Sequence, residues 1–181
     1  MRMKVEMDDI GILSVQSGDE ILKTNGISTC ICLMLKGTFL DKNFILMHHW
    51  SGFVNHKTHP KRAMESLVSR YNMALDDYFE NDSDEFIKPL IVDVSIIGGQ
   101  EKQLNDEGEL LCSGTSAEIK AIQQLFLETL QEEFSLHVNL KTQFKPFVTK
   151  DEESLTVSFN AKGQTSYRFD GEPQYTTEFS I

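Results

Sequence analysis

The chain has 181 residues, of which 28 are acidic and 17 are basic, so that its net charge is −11, and 40% of its residues are hydrophobic. This length and this apolar content suit a single domain, residues 1–181, with a packed core. The sequence argues against nucleic-acid binding, because it contains no cluster of Lys and Arg that could contact phosphates.

The N-terminal segment and the cysteines predict a cytoplasmic protein. Residues 1–15 include acidic residues and no continuous apolar segment, unlike a secretory signal, and no stretch approaches the roughly 18 apolar residues of a membrane span. Cysteines occur only at Cys30, Cys32 and Cys112, an odd number, and the first two lie too close in one strand to form a bridge. A reducing compartment and no membrane insertion are therefore predicted, with export by a dedicated secretion system as the alternative.

The apolar pattern predicts an α+β fold, a β-sandwich or mixed sheet flanked by two main helices. The predicted strands lie, in chain order, at residues 3–7, 11–15, 31–35, 44–47, 90–97, 136–140, 155–159 and 166–169. The predicted helices lie at residues 60–78 and Ser116–Glu133, the second after a capping box that begins at Thr115. Residues 100–113 are predicted as a polar loop, and residues 174–181 as either an edge strand or a frayed tail.

The segment at residues 23–50 contains a candidate thiol site. Thr24 precedes a polar, Gly-containing turn predicted at residues 25–29, and Cys30 follows where this turn enters an apolar strand. His48 and His49 stand at the end of the next apolar strand. A neighbouring imidazole is the usual means of converting a thiol into a nucleophilic thiolate.

The pairing of these two strands decides which histidine reaches the thiol. If the hairpin pairs Lys36 with Lys42, Cys30 falls directly opposite His48, where side chains on facing strands meet. A register shift of one residue would bring His49 there instead. The sequence leaves both histidines open.

Two alternatives involve the same residues. A free cysteine in a strand is most often a small buried hydrophobic residue. Thiolate and imidazole ligands could also bind zinc, but a C-x-C spacing inside an apolar strand lacks the knuckle turn of structural zinc sites, so no metal and no cofactor are predicted. The side chains weighed for zinc are Cys30, Cys32, His48, His49, His56 and His59.

The segment resembles the CheD family of chemoreceptor glutamine deamidases. The similarity lies in Thr24 six residues before Cys30, the Gly-containing turn between them, a histidine at the end of the following strand, and Gly98-Gly99 after a later strand. It extends over roughly residues 5–169. The cytotoxic necrotizing factor toxins share the same Cys-His core on weaker sequence similarity.

The resemblance implies a cofactor-free protein-glutamine deamidase. Cys30 would attack the side-chain amide of a glutamine, release ammonia and form a thioester that water resolves to glutamate. His48 would be the general base, and Thr24 would orient its imidazole. The candidates for contacting the substrate are Ser28, Thr29, His49, Gly98 and Gly99.

The sequence departs from the family pattern around both catalytic positions. Ser28-Thr29 stand where the family usually has Gly-Ser, and His49-Trp50-Ser51-Gly52 replace apolar residues and a proline. The spacing from Cys30 to His48 is also about one residue longer, which again leaves His49 open as the base.

Several biological roles are compatible with this chemistry. One is deamidation of chemoreceptor helices, with a chemotaxis phosphatase as partner. Another is an exported effector that deamidates or transglutaminates host proteins. The alternative from a different class is a non-catalytic protein-binding module on the same fold.

Overall fold

The computed structural model describes residues 1–51, 59–80, 89–100, 102–112, 115–133, 139–140, 154–174 and 176–180. The strands are β1 (Arg2–Lys4), β2 (Ile10–Ser14), β3 (Ile21–Ile27), β4 (Ile31–Phe39), β5 (Lys42–Trp50), β6 (Leu90–Gly98), β7 (Gln103–Leu104), β8 (Leu110–Cys112), β9 (Asn139–Leu140), β10 (Leu155–Asn160), β11 (Gln164–Phe169) and β12 (Thr176–Ser180). The helices are α1 (Pro60–Phe79) and α2 (Ser116–Glu133).

Two five-stranded sheets and a helical layer make up the fold, which confirms the predicted α+β class. The first sheet has the strand order β1-β3-β10-β11-β12, and the second sheet has the order β2-β5-β4-β6-β9. One apolar cluster joins the two sheets, and another joins the second sheet to α1 and α2. The second sheet is therefore covered on both faces, which explains why β4 and β5 are nearly continuous apolar runs.

The register of the β4–β5 hairpin differs from the predicted one. Both strands extend to the pair Phe39 and Lys42, and a two-residue turn of Leu40 and Asp41 joins them, with φ values of 48° and 58°. Two positive φ values are typical of a type I′ turn, whose twist matches that of the strands. The predicted pairing of Lys36 with Lys42 is wrong, because Lys36 pairs with Ile45. The sequence did not reveal the turn, because Leu-Asp lacks the Gly or Asn that usually marks this geometry.

Strand β3 is the main element that the sequence analysis missed. The sequence predicts a turn at residues 25–29, whereas strand pairing continues to Ile27. Gly26, with a φ of 74°, lies where the register between β3 and β10 shifts, as in a β-bulge. The bulge lets a Gly-containing segment remain in the sheet, and Thr24 consequently lies in a strand rather than ahead of a turn.

Most of the remaining elements lie where they are predicted, but the strand predicted at residues 3–7 ends at Lys4. Both helices lie where the periodicity places them, and residues 174–181 contain the edge strand β12. The polar loop predicted at residues 100–113 instead contains the small hairpin of β7 and β8. Only Asn139–Leu140 of the strand predicted at residues 136–140 falls within the described residues, where it pairs with β6. Among the helices that the structure describes, none is both long and apolar enough to cross a membrane.

Candidate thiol site

Cys30 lies in the bend between β3 and β4, at the border of the layer between the two sheets. Its side chain is partly buried and packs against the apolar cluster that joins the sheets. Ser28 and Thr29 form the bend with it, and the Thr29 side chain acts to lower the pKa of the thiol. The thiol is thus held at the start of a buried strand while remaining partly accessible.

His49 is the histidine that faces the same layer as Cys30. It pairs with Cys32 across β4 and β5, and Cys30 packs against the apolar cluster between the sheets to which Cys32 belongs. The His49 Nδ1 lies 2.9 Å from the Thr24 Oγ1, and both side chains are buried. This hydrogen bond joins the two sheets, so the structure brings together Thr24, a histidine and the face that carries the thiol.

His48 points to the opposite side of the second sheet. It pairs with Leu33, its Nδ1 lies 3.0 Å from the hydroxyl of Tyr71 in α1, and the two rings are 5.6 Å apart in an edge-on arrangement. Successive residues of a strand face opposite sides. The predicted facing of Cys30 and His48 is therefore wrong, and the structure does not bring these two side chains together.

The buried His48 predicts a pH-dependent stability. Burial, with a contribution from Arg70, lowers the pKa of His48 from 6.5 to about 3. In the unfolded chain the His48 imidazole binds a proton below pH 6.5, whereas in the folded chain it binds one only below about pH 3. The free energy of unfolding therefore falls as the pH is lowered through this window. Lowering the pH from 7 to 5 should cost about 2 kcal/mol through this residue.

Urea unfolding at both pH values measures this cost. His48→Phe, which keeps a ring against Tyr71, should reduce the loss of unfolding free energy between pH 7 and pH 5 by about 2 kcal/mol. The control His59→Phe removes an exposed imidazole before α1 and should behave as the wild type. An identical pH dependence in the wild type and in His48→Phe would contradict the assignment.

The pKa shifts of the Cys30 thiol and the His49 imidazole both favour the uncharged form at neutral pH. Burial raises the pKa of Cys30, a shift that the Thr29 side chain opposes and the Asp8 carboxylate strengthens. Burial lowers the pKa of His49, and the carboxylates of Asp8 and Glu6 oppose this shift only in part. The sequence predicts a thiolate beside an imidazole, whereas the two pKa shifts favour a protonated thiol and a neutral ring at neutral pH.

The His49 ring has a second nitrogen that is not engaged with the Thr24 hydroxyl. Its Nε2 is buried and hydrogen-bonds to no described residue, while Nδ1 is close to the Thr24 hydroxyl. In the tautomer in which Nδ1–H donates to Thr24 Oγ1, Nε2 is an acceptor and can take a proton. Thr24 can in this way hold the neutral ring in the orientation and tautomer of a general base.

Asp8 is a member of the site that the sequence analysis missed. Its backbone N–H donates to the carbonyl of His49 at 2.6 Å, and its carboxylate accepts the N–H and the O–H of Ser51. Arg70 donates to the Asp8 carbonyl at 3.1 Å. Burial opposes ionisation of Asp8, but the Ser51 hydrogen bonds outweigh it and lower its pKa. The only sequence signal is a turn-forming Asp-Asp pair, because the contacts come from distant elements.

Gly98 and Gly99 bring the end of β6 against Cys30. The Gly99 N–H donates to the Cys30 carbonyl at 2.9 Å, and both glycines have positive φ values, 114° and 96°. A Cβ atom on Gly98 would lie 2.8 Å from that carbonyl oxygen and 2.6 Å from Cγ2 of Ile27. Glycine is therefore required at position 98 for both conformation and space.

The thiol site is not matched by a known family and is not part of a metal-binding cluster among the described residues. No protein-family model matches this sequence, and a search of curated proteins finds no significant match. Across the described part of the chain, no three His, Cys, Asp or Glu side chains are grouped so as to hold a metal ion, and His56 lies outside that part. The groups described for this site are the Cys30 thiol, the His49 imidazole and the Thr24 hydroxyl.

Proposed function

We propose that this protein is a cysteine-dependent protein-glutamine deamidase in which Cys30 is the nucleophile, His49 is the general base and Thr24 is a positioning residue. The observation that carries the proposal is the buried hydrogen bond between Thr24 and His49, on the sheet face that also carries the thiol. A nucleophile, a base and a third group that orients the base are the parts that acyl-transfer chemistry requires.

The proposed reaction has two stages. The His49 Nε2 takes the thiol proton as the Cys30 sulfur attacks the amide carbon of a glutamine side chain. The same proton is then given to the leaving nitrogen, so that ammonia departs and a thioester remains. His49 next takes a proton from a water molecule as the water oxygen attacks the thioester carbon. The proton then passes from His49 to the departing sulfur, which restores the Cys30 thiol and releases glutamate. Because catalytic hydrogen bonds often tighten only with substrate bound, the missing contact between the thiol and Nε2 is compatible with this sequence.

A protein substrate is favoured by the small hairpin of β7 and β8. This hairpin follows Gly99 in the chain, and the exposed fractions of Leu104, Leu110 and Leu111 are 49%, 57% and 66%. Exposed apolar side chains grouped together mark contact surfaces. Chemoreceptor helices, with a chemotaxis phosphatase as partner, and host proteins reached by export are the two substrate classes that we propose.

A non-catalytic binding module is the second candidate. The raised pKa of Cys30 and the lack of a hydrogen bond between its thiol and the His49 Nε2 favour this alternative. In this case Cys30→Ala would leave partner binding and biological function unchanged. Transfer of an amine to the thioester in place of water is a variant of the first proposal, and it uses the same residues.

Mass spectrometry in water labelled with oxygen-18 tests the proposal directly. We expect the wild type to convert glutamines to glutamates that carry one labelled oxygen, on chemoreceptor fragments or in a host-cell lysate. Added amine would be incorporated instead if the enzyme is a transglutaminase. Cys30→Ala should abolish either product, whereas the control Cys32→Ala, which removes the buried thiol two residues further along the chain, should retain it.

Two results would contradict the proposal. One is product formation that persists in Cys30→Ala, which would assign the reaction to another group. The other is the absence of any thiol-dependent product on both substrate panels with a folded wild-type protein, after which the binding-module alternative would lead.

A further inference from the structure

The small hairpin of β7 and β8 presents a group of apolar side chains to solvent. Leu104 pairs with Leu110 across the two strands, and Leu111 is the extra residue at the neighbouring register shift, as in a β-bulge. All three side chains are exposed. Leucines exposed together in one short hairpin form an apolar patch, and such patches mark contact surfaces.

Hydrogen bonds from Asn105 hold the turn of this hairpin. Its side-chain oxygen accepts the backbone N–H groups of Glu107 at 3.0 Å and Glu109 at 2.7 Å, and its side-chain nitrogen donates to the Glu109 carboxylate at 3.0 Å. A two-stranded hairpin is only marginally stable by itself. The Asn105 contacts therefore order the leucines before a partner binds, which lowers the entropic cost of binding.

The base of the hairpin lies against the thiol site. The Gly99 N–H donates to the Cys30 carbonyl at 2.9 Å. Gln100 and Thr115 close the base, because each backbone N–H donates to the other residue at 2.9 Å. The five steps of chain from Gly99 to Leu104 span at most about 18 Å. A substrate with its glutamine at Cys30 can therefore reach the leucines within about 12 residues of helix or about five of extended chain.

The side chains along this path are net negative. Asp8, at the rim of the thiol site, is exposed, and its carboxylate raises the pKa of both Cys30 and His49. Arg70 lies at the same rim, where it donates to the Asp8 carbonyl at 3.1 Å. A partner that spans the path is therefore favoured if it carries positive charge. Over residues 102–111 the exposed charged side chains are Lys102, Asp106, Glu107 and Glu109.

We propose that the β7–β8 hairpin docks a segment of the protein substrate that combines apolar side chains with Lys or Arg, and so selects glutamines close to such segments. The apolar side chains cover Leu104, Leu110 and Leu111, and the cations face the carboxylates of the hairpin. This inference rests on the proposed deamidase function, because it describes the substrate of the thiol site. A second copy of this chain is a less suitable occupant, since its net charge of −11 is repelled.

Selection from a phage library of random peptides tests this docking surface on the whole chain. The peptides are about 15 residues long, which is enough to span the path as a helix. The Cys30→Ala protein is the bait, because it binds without turnover, and we expect the recovered peptides to combine apolar residues with Lys or Arg. The affinity of a recovered peptide is then measured by fluorescence anisotropy at roughly 150 mM salt, where long-range attraction is screened.

Leu111 and Met73 provide a matched pair of apolar changes, because their exposed fractions are 66% and 62%. Leu111→Ser should weaken binding of the peptide about tenfold, whereas Met73→Ser in α1 should leave it within about twofold. In the active chain, Leu111→Ser should raise KM for a protein substrate with little change in kcat, since only substrate binding is affected. Both variants should keep the wild-type urea midpoint, because these side chains are exposed.

The acidic residues of the hairpin are tested by a second pair of variants. Asp106→Asn/Glu107→Gln should weaken peptide binding about fivefold. The control Asp77→Asn/Glu80→Gln removes the same two residue types at the end of α1 and should change binding by less than about twofold. Equal weakening in both double variants would overturn the proposal, because binding would then follow net charge alone.

Other results would also overturn the docking proposal. These are the recovery of no peptide, the recovery of acidic peptides, and binding that Leu111→Ser leaves unchanged. A wild-type dimer that dissociates in Leu111→Ser would assign the surface to a second copy of this chain. Peptide binding that depends on the hairpin, without any deamidation by the active chain, would instead contradict the deamidase function alone, so the two proposals fail in different ways.

Discussion

His49→Ala is expected to lower the rate of glutamine deamidation by about 10²–10⁴-fold, the usual contribution of a general base. The reason is geometric, because His49 shares the sheet face of Cys30 and is held by Thr24 at 2.9 Å. His48→Phe should leave the turnover of the folded protein within about threefold of the wild type, since its imidazole contacts Tyr71 on the helical side. The measurement is the initial rate of oxygen-18 incorporation into a glutamine substrate identified with the wild type.

The comparison needs a check on folding, because both histidines are buried. Each variant should be assayed well below the denaturant concentration at which it unfolds, with the rate referred to the folded fraction. Thr24→Val offers an independent readout, since it removes the partner of Nδ1 and should reduce turnover without removing the base. A large loss in His48→Phe together with a small loss in His49→Ala would reverse the assignment of the base.

Gly98→Ala is expected to destabilise the protein by about 3–5 kcal/mol. Its φ of 114° is one that L-residues rarely adopt, and the added Cβ would meet the Cys30 carbonyl oxygen and Ile27. The first atom belongs to the backbone and cannot move aside without displacing the bend that carries the thiol. The free energy of unfolding from urea titration measures the effect.

Gly108→Ala is the matched control, because it changes the same residue type at a similar kind of backbone angle. Gly108 has a φ of 82°, but nothing lies within 4 Å of the position that its Cβ would take. We expect a cost of about 1 kcal/mol there, from backbone strain alone. Similar costs at the two positions would show that close packing against Cys30 is not what requires a glycine at position 98.

The amphipathic helices and the later strands could be predicted from the sequence because their signals are local. The apolar spacing of α1 and the period-2 alternation of β10 depend only on neighbouring residues, and both elements lie where these patterns place them. The thiol itself could also be singled out, since Thr24, Cys30 and a terminal histidine stand close in the chain.

The choice between two adjacent histidines could not be made from the sequence. It depends on the β4–β5 register, and the turn of Leu40 and Asp41 that sets this register lacks the residues that usually reveal it. An apolar run buried on both faces carries no alternation from which the inward face could be read. His48 and His49 therefore look equivalent until the sheets and helices are assembled.

The sequence by itself determined the α+β class, the helix positions and the candidate nucleophile, because each rests on the pattern of nearby residues. Only the tertiary structure decided that His49 rather than His48 meets Thr24, and that Asp8 and Gly98 lie against the site. These features join residues from strands far apart in the chain. Their proximity follows from sheet pairing and register, which one-dimensional patterns do not specify.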